Sequence, residues 1–375
     1  MKIRSVEVIP LRIPFNDGSA GVGLMPSKWT HLDIALVRAE TEDGVIGWGD
    51  AFAYSCASAS CAAIRDLVAP LVVGREIEPT PEAIAAVNLD LQRKTHLQGR
   101  YGITTFAISA IDIALWDLAG KTSGQSIANM IIAASDPSRG TGKRAKLPAY
   151  ASLVRYTDPG AVRDFAAQSV EEGYRTVKLH EITAAAITAG REAVGPEIRL
   201  TTDVNCGWSS DETHRMLPLM KDLDLYWVEE PLFPPDREDA FADLEARYGV
   251  AIASGENACT SVEFARTIPH LTFPQPSVTK VGGISEFLRI CDLALAHGKT
   301  IMPHAPYFGA GYWATIQIMA ARPECGLFER FYLWPEAWID PNIPLPVNGE
   351  IMVPTEPGLG LEPDPDCLKR YRAGI

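Results

Sequence analysis

Three short apolar runs in the middle of this chain each end in a carboxylate, and no other feature so restricts how it can fold. Residues 199–205 read Arg-Leu-Thr-Thr-Asp203-Val-Asn205, residues 225–231 Leu-Tyr-Trp-Val-Glu229-Glu230-Pro231, and residues 250–257 Val-Ala-Ile-Ala-Ser-Gly-Glu256-Asn257. Each run reads as a buried strand, and each precedes a segment with helical periodicity. Asp203, Glu229 and Glu256 recur about 26 residues apart, roughly one βα unit per acid. In a parallel barrel this spacing puts all three at the C-terminal mouths of successive strands. Three carboxylates converging on one point repel one another unless a cation sits between them. No Cys or His shares the spacing, so the ligand set is hard oxygen, which suits Mg²⁺ and, less often, Mn²⁺. One acid at a strand end is as readily a solvated loop residue or a helix cap; three in phase favour the metal.

The flanking sequence repeats the same texture. Strands are expected at 147–152, 174–180, 268–279, 300–304 and 326–329, with a helix over 158–173 stopped by Gly173. Together with the acid-tipped runs they make residues 146–341 a (β/α) barrel. Ahead of it, strands at 2–14, 31–40 and 44–49 and helices at 56–73, 81–97 and 102–121 form an α+β capping domain over 1–125. A glycine-rich loop joins its first two strands at 16–28, and the Pro- and Gly-rich tail at 342–375 is expected to pack back and complete it. The fold class is therefore α/β, a modified (β/α)8 TIM-like barrel with an N-terminal α+β cap. Asp112 and Asp117, on the helix at 102–121, read as helix-surface or interdomain polar residues and not as ligands.

A chain of 375 residues suffices for a barrel plus a smaller domain. No stretch reads as membrane-spanning or as a signal peptide. Seven scattered cysteines, an odd number, point to free thiols in a reducing cytoplasm. The formal charge of −13 disfavours nucleic acid or an anionic membrane as partner. It does not forbid an anionic substrate, because a bound cation inverts the local field.

Lys178 and His180 stand two apart at the end of the second barrel strand, so both side chains leave on one face, beside Asp203. His304 ends the seventh strand, in the rigid run Pro303-His304-Ala-Pro306, across the mouth from the second. Glu329 ends the eighth, as site residue or salt-bridge partner. One cation flanked by a Lys/His pair and a further His suits removal of a proton alpha to a carboxylate. The cost of that step is the second negative charge on the carboxylate, which a divalent ion stabilises most in the transition state.

The runs Lys178-x-His180, Asp203-x-Asn205, Glu229-Glu-Pro231, Gly255-Glu256-Asn257, Val281-Gly-Gly283 and His304 together resemble the enolase superfamily, specifically its mandelate racemase subgroup. The resemblance covers nearly the whole chain. It implies the chemistry known for that superfamily, a Lys or His base working beside Mg²⁺, and a homo-oligomer. It also implies that Asp203, Glu229 and Glu256 are the metal ligands, that Lys178 faces the substrate carboxylate and that His180 is the second-strand base. His304 would then be the seventh-strand acid or base, and Glu329 an acid or hydrogen-bonding group. Asn205, Asn257 and Lys280, with Trp29 and Tyr54 from the cap loops at 16–29 and 50–54, would contact a small carboxylate substrate. The family pairs the seventh-strand His with an Asp; here Ser277 stands in its place, so His304 is expected to lack an orienting carboxylate.

The leading expectation is dehydration of a sugar acid to a 2-keto-3-deoxy acid, a carbon–oxygen lyase reaction with His180 as base. The alternatives are a racemase or epimerase using His180 and His304 on opposite faces, and a non-catalytic barrel kept for binding or assembly.

Overall fold

The computed structural model of the protein describes residues 1–16, 29–135, 142–235 and 237–374. Most of the glycine-rich loop assigned above to closing the mouth therefore lies outside the described residues. The chain opens with three antiparallel strands, β1 (Ile3–Asn16), β2 (His31–Thr41) and β3 (Ile46–Ala51), paired in the order 1-2-3. The third starts later than the sequence suggests. The helical region expected at 56–73 is split: α1 (Ala57–Ala62) passes into a wider turn and then a tight one at Ala69–Leu71, where Pro70 offers no N–H to continue the ladder. Next come α2 (Pro81–Lys94), entered through the Thr80 cap, α3 (Ile103–Ser123) and α4 (Ile127–Ala134).

Among these, α3 bears on two expectations. At 21 residues it is long and apolar enough to cross a membrane, yet it is buried inside the fold. It is apolar on every side because the sheet, its neighbouring helices and the barrel enclose it. Asp112 and Asp117, read as helix-surface or interdomain polar residues, are not at the surface: both are fully buried, and Asp112 reaches the barrel, as the interdomain alternative has it. Asp117 accepts from the Trp48 and Leu359 backbone N–H groups, and Asp112 from Asn88 Nδ2 and the Ser285 N–H.

The barrel follows, alternating except between α10 and α11: β4 (Lys146–Ser152), α5 (Pro159–Glu171), β5 (Thr176–Leu179), α6 (Ala184–Val194), β6 (Arg199–Asp203), α7 (Ser210–Asp222), β7 (Leu225–Glu229), α8 (Glu238–Tyr248), β8 (Ile252–Ser254), α9 (Thr260–Thr267), β9 (Phe273–Pro274), α10 (Ile284–Ala296), α11 (Ala310–Ala321) and β10 (Phe328–Phe331). Strands β4 to β9 pair in parallel in sequence order, and β10 returns to pair with β4. Local chemistry sets the helix starts: Asp158 and Thr183 cap α5 and α6, and Ser209 with Glu212 makes a reciprocal capping box on α7.

Two expected strands shrink. The sixth is reduced to Phe273–Pro274, and the seventh keeps a single bridge, Ile301 to Cys325. Pro274, Pro276 and Pro303 bring carbonyls but no N–H donors, so pairing is one-sided: Met302 N–H donates to Pro274 O and His304 N–H to Pro276 O. These bonds and Gly326 N–H to Ile301 O close the wall. Afterwards β11 (Trp334–Pro335) joins the edge of β1, β12 (Glu350–Met352) pairs antiparallel with β4, and α12 (Pro365–Arg370) leads to a tail bonded along β1.

The two parts are joined through helix starts. Helices α10 and α11 begin at Gly283 and Gly309, which have no side chain with which to cap. Asp112, from α3, bonds the first turn of α10, and Asp50, from β3, accepts from Gly311 N–H at 2.6 Å in the first turn of α11. A Cβ on Gly283 would stand 2.4 Å from Asp112 Oδ1, and one on Gly309 2.2 Å from Asp50 Oδ2. Both glycines are therefore the space into which a capping carboxylate from elsewhere fits.

Burial pushes the Asp50 carboxyl up to about 7, with the Gly311 bond opposing. Folded Asp50 thus keeps a proton that the unfolded chain releases near 3.8, so the folded state binds more protons over this range and Asp50 lowers stability as pH rises through it. Urea unfolding at pH 5 and pH 8 checks this. The stability of Asp50→Asn relative to wild type is expected to improve from the lower to the higher pH. Asp50→Ala, which leaves the Gly311 N–H without its acceptor, is expected to cost about 1–3 kcal/mol at pH 5.

Candidate active site

Parallel pairing makes neighbours of the strand ends: Asp203 and Glu229 are Cα partners in the ladder, and Glu229 pairs with Ala253 of β8. Immediately beyond, the backbone turns through left-handed conformations at Asn205, Cys206 and Glu230, with φ of 46°, 56° and 44°. Three such non-glycine residues beside one another indicate a backbone held in place by its surroundings. Asn205 N–H caps Asp203 Oδ1 at 2.8 Å. One oxygen each of Asp203, Glu229 and Glu256 lies within 4.8 Å of the others, and all three residues are buried.

The cation inside this ring of charge is Lys178, wholly buried. Its ammonium is 2.7 Å from Glu229 Oε1, 3.1 Å from Asp203 Oδ2 and 3.3 Å from Glu329 Oε1. Burial works against its charge, but Glu229, Glu329 and Asp203 outweigh it and hold the ammonium well above its usual range. Glu229 also accepts from Gln275 Nε2 at 2.7 Å and from Trp227 Nε1 at 3.2 Å. Even so, burial and the negative charge of Asp203 push its carboxyl well above the ordinary range. Asp203 Oδ2 has the ammonium at ion-pair distance yet receives no hydrogen bond from the described residues. A buried carboxylate oxygen without a donor, in a set made only of oxygens, fits a hard divalent ion. Asp203, Glu229 and Glu256 are the residues that would hold it.

Two imidazoles flank the triad. His180 places Nδ1 2.5 Å from the Leu153 carbonyl, which can only accept, so Nδ1 carries the proton and Nε2 the lone pair. That Nε2 lies 3.5 Å from Asp203 Oδ2. Burial, helped by Lys178, lowers the His180 pKa to about 4, so the ring is neutral at physiological pH. His304 sets Nε2 3.1 Å from Glu256 Oε2. Its other nitrogen meets hydroxyls in place of the carboxylate expected to be lacking: Ser277 Oγ is 3.1 Å and Tyr307 OH 3.3 Å away, and the two hydroxyls touch each other. Glu329 accepts from Ser152 Oγ and the Ala305 N–H, both at 2.8 Å. Despite burial its carboxyl stays below the usual range, because Lys178, His304 and these donors favour the anion.

Above the triad opens a cavity of about 620 Å³. His180, Asn205, Glu256, Asn257, Lys280 and His304 line it, and Trp29 and Tyr54 close it from the cap side. Trp29 packs edge-on against Tyr54 at 4.8 Å and leans on Phe331. Lys280 bonds Asn257 Oδ1 at 3.0 Å and stands over the Phe52 ring at 4.1 Å. Among the lining or supporting residues that escaped the sequence reading, three bear on the chemistry. Glu230, buried beside Glu256 and Asn257, stood in the Glu229-Glu-Pro run but was given no role. Arg155 lies just past β4, where the strand-end rule used for the other strands would have found it. Tyr307 belongs to a loop without periodicity, and nothing in the sequence marks it.

A carboxylate triad at the mouth of a capped parallel barrel, with a buried Lys and two histidines around it, defines the metal-assisted enolase class of site. The chain belongs to the mandelate racemase/muconate lactonizing enzyme family: residues 27–131 match the family described as "Mandelate racemase / muconate lactonizing enzyme, N-terminal domain" and residues 161–367 "Enolase C-terminal domain-like". It is 31% identical over 359 residues to the D-galactarolactone cycloisomerase of Agrobacterium fabrum, covering 90% of each chain. It is 28% identical to the arabinonate dehydratase of Saccharolobus solfataricus, covering 91% of each. A mandelate racemase/muconate lactonizing protein from Paracoccus denitrificans, solved in complex with magnesium, superposes with a TM-score of 0.84 at 27% identity, covering 100% of this chain and 99% of that one.

The Lys178 contacts generate a stability prediction. Without metal, Lys178→Met leaves three carboxylates in a buried site without their ammonium and is expected to destabilise the protein by about 3–5 kcal/mol. Millimolar Mg²⁺ should then raise its unfolding midpoint more than it raises that of wild type. Equal shifts in a thermal melt would mean that ammonium and metal do not share the carboxylates.

Proposed function

We propose that this enzyme is a Mg²⁺-dependent lyase that removes the proton alpha to the carboxylate of a sugar acid and expels water from the beta carbon, giving a 2-keto-3-deoxy acid. The observation that carries the reading is the His180 ring, neutral, with its proton fixed on Leu153 and its lone pair facing the acid cluster. A base must be unprotonated and within reach of the alpha carbon, and this imidazole meets the first condition across the physiological range. His180 takes the alpha proton. The electron pair left on carbon moves into the carboxylate and then expels the beta hydroxyl, which His304 protonates as it leaves; Glu329, held as the anion, has no proton to give. Asp203, Glu229 and Glu256 would hold the divalent ion, whose chemistry is to stabilise the second negative charge as it forms on the substrate carboxylate. Lys178 adds a fixed positive charge to the same group, and Trp29 and Tyr54 exclude water from it.

Support comes also from the relative named arabinonate dehydratase, a name that states loss of water from a sugar acid. A racemase is the second reading. It is favoured by His304, whose Nε2 meets Glu256 while His180 meets Asp203, so that two imidazoles approach the triad from different strands.

With Mg²⁺, the enzyme is expected to form a semicarbazide-reactive keto acid from at least one member of a panel of aldonic and aldaric acids; a uniformly negative panel would sink the lyase reading. Deuterium entering the alpha position of both enantiomers without keto acid would favour the racemase. His180→Asn should lower kcat by at least 10²-fold while sparing Mg²⁺ affinity, whereas Glu229→Gln should lose both, as calorimetry and steady-state rates would show.

A further inference from the structure

Arg155 is a basic side chain at the mouth that the chemistry above does not use. It follows β4 and lines the cavity. Its Nε donates to the His180 carbonyl at 2.5 Å and its Nη2 to Asn205 Oδ1 at 3.1 Å. These two bonds occupy one edge of the guanidinium fork. The other edge, formed by Nη1 and Nη2, carries two parallel N–H groups, the geometry that matches both oxygens of a carboxylate. No protein acceptor for that edge is found among the described residues.

The charge around it is also unbalanced. Every other basic side chain at the mouth has a carboxylate oxygen within ion-pair distance: Lys178 has three, His180 has Asp203 at 3.5 Å, Lys280 has Glu256 at 3.6 Å and His304 has Glu256 at 3.1 Å. Among the described residues, no carboxylate comes within 4.0 Å of Arg155. Burial pulls its pKa below the ordinary value, with Asp203 and Glu181 only partly offsetting it. A half-buried guanidinium without a counter-charge is costly unless an anion is part of its working state.

Resting on the sugar-acid reading, we infer that Arg155 binds a second carboxylate of the substrate, remote from the one that reacts, and that the enzyme selects aldaric acids over aldonic acids. The fork is fixed through the His180 carbonyl and through Asn205, whose N–H caps Asp203. A distal carboxylate seated on it therefore sets the distance from the anchored end of the substrate to the base. An aldonic acid offers a hydroxyl at that end, which leaves the charge of Arg155 unpaired.

The test uses Mg²⁺-loaded His180→Asn enzyme, in which turnover is blocked, titrated calorimetrically with C6 aldaric and aldonic acids of matched configuration. The aldaric acid is expected to bind at least tenfold more tightly. Adding Arg155→Gln should weaken aldarate binding at least tenfold more than aldonate binding, and Arg155→Lys should keep part of the preference. Unfolding midpoints confirm that each variant is folded. Equal affinities for the two acids in the parent, or equal losses for both on Arg155→Gln, would overturn the inference and leave Arg155 a brace for His180 and Asn205. An Arg155-dependent preference together with no keto acid from wild type would uphold the site and sink only the lyase reading. Absence of binding by either acid would overturn both.

Discussion

Mutual repulsion of buried carboxylates is the constraint to which the rest of the structure answers. The ladder holds Asp203 beside Glu229, and Glu256 and Glu329 come in from further round the mouth, so negative charge accumulates where little water can screen it. One ammonium, Lys178, reaches three of these groups at once. Below it the barrel is filled by Tyr150, Trp227, Phe273 and Met302, which keep the interior dry and so strengthen both the repulsion and the remedy. Trp227 serves twice: its ring packs this layer and its indole N–H bonds Glu229 two residues on, along the same face of the strand. Burial that would be a liability in a plain core here gathers the oxygens that would hold a divalent cation.

The cap is bound to this charged centre more tightly than a covering lid needs to be. Asp50 and Asp112 end on the first turns of α11 and α10, and those helices directly follow the segments that carry His304 and Lys280. Buried hydrogen bonds of this kind are costly to break, so cap and barrel behave as one body at the sixth and seventh strands. That matters because the wall there is weakest. Proline carbonyls replace a two-sided ladder, and the loop after His304 rests on one backbone bond to Glu329 and one to the cap. The cap supplies the rigidity that strand pairing does not.

The two imidazoles differ in ways that follow from their partners. A carbonyl holds His180 and settles which nitrogen is bare. Hydroxyls hold His304, and hydroxyls can give or take a hydrogen bond, so either tautomer is accommodated. An asymmetric pair suits a reaction whose two proton transfers differ, one from carbon and one to a departing oxygen.

Much of this was readable in one dimension. Apolar runs ending in acids at one βα period are a periodic signal, and period is a property of sequence; it placed Lys178, His180, Asp203, Glu229 and Glu256 on adjoining strand ends and identified the barrel. The gaps share one cause. Asp112 stayed open between a surface and an interdomain place because local pattern cannot show which element covers it. The shortened strands at Pro274 and Ile301 reflect donors missing from both partners, which becomes visible only when the partners are known. Ser277 showed that His304 lacks a carboxylate behind it, but not that the Ser277 and Tyr307 hydroxyls together take that place. Arg155 needed the bonds to His180 and Asn205 to show which edge of its fork is committed. Sequence by itself determined the repeating unit and the chemistry carried at its ends, because spacing and residue type are local. Only the tertiary structure decided which charges are paired, which rings are neutral and which helix starts borrow their caps, because each of those depends on atoms far away in the chain.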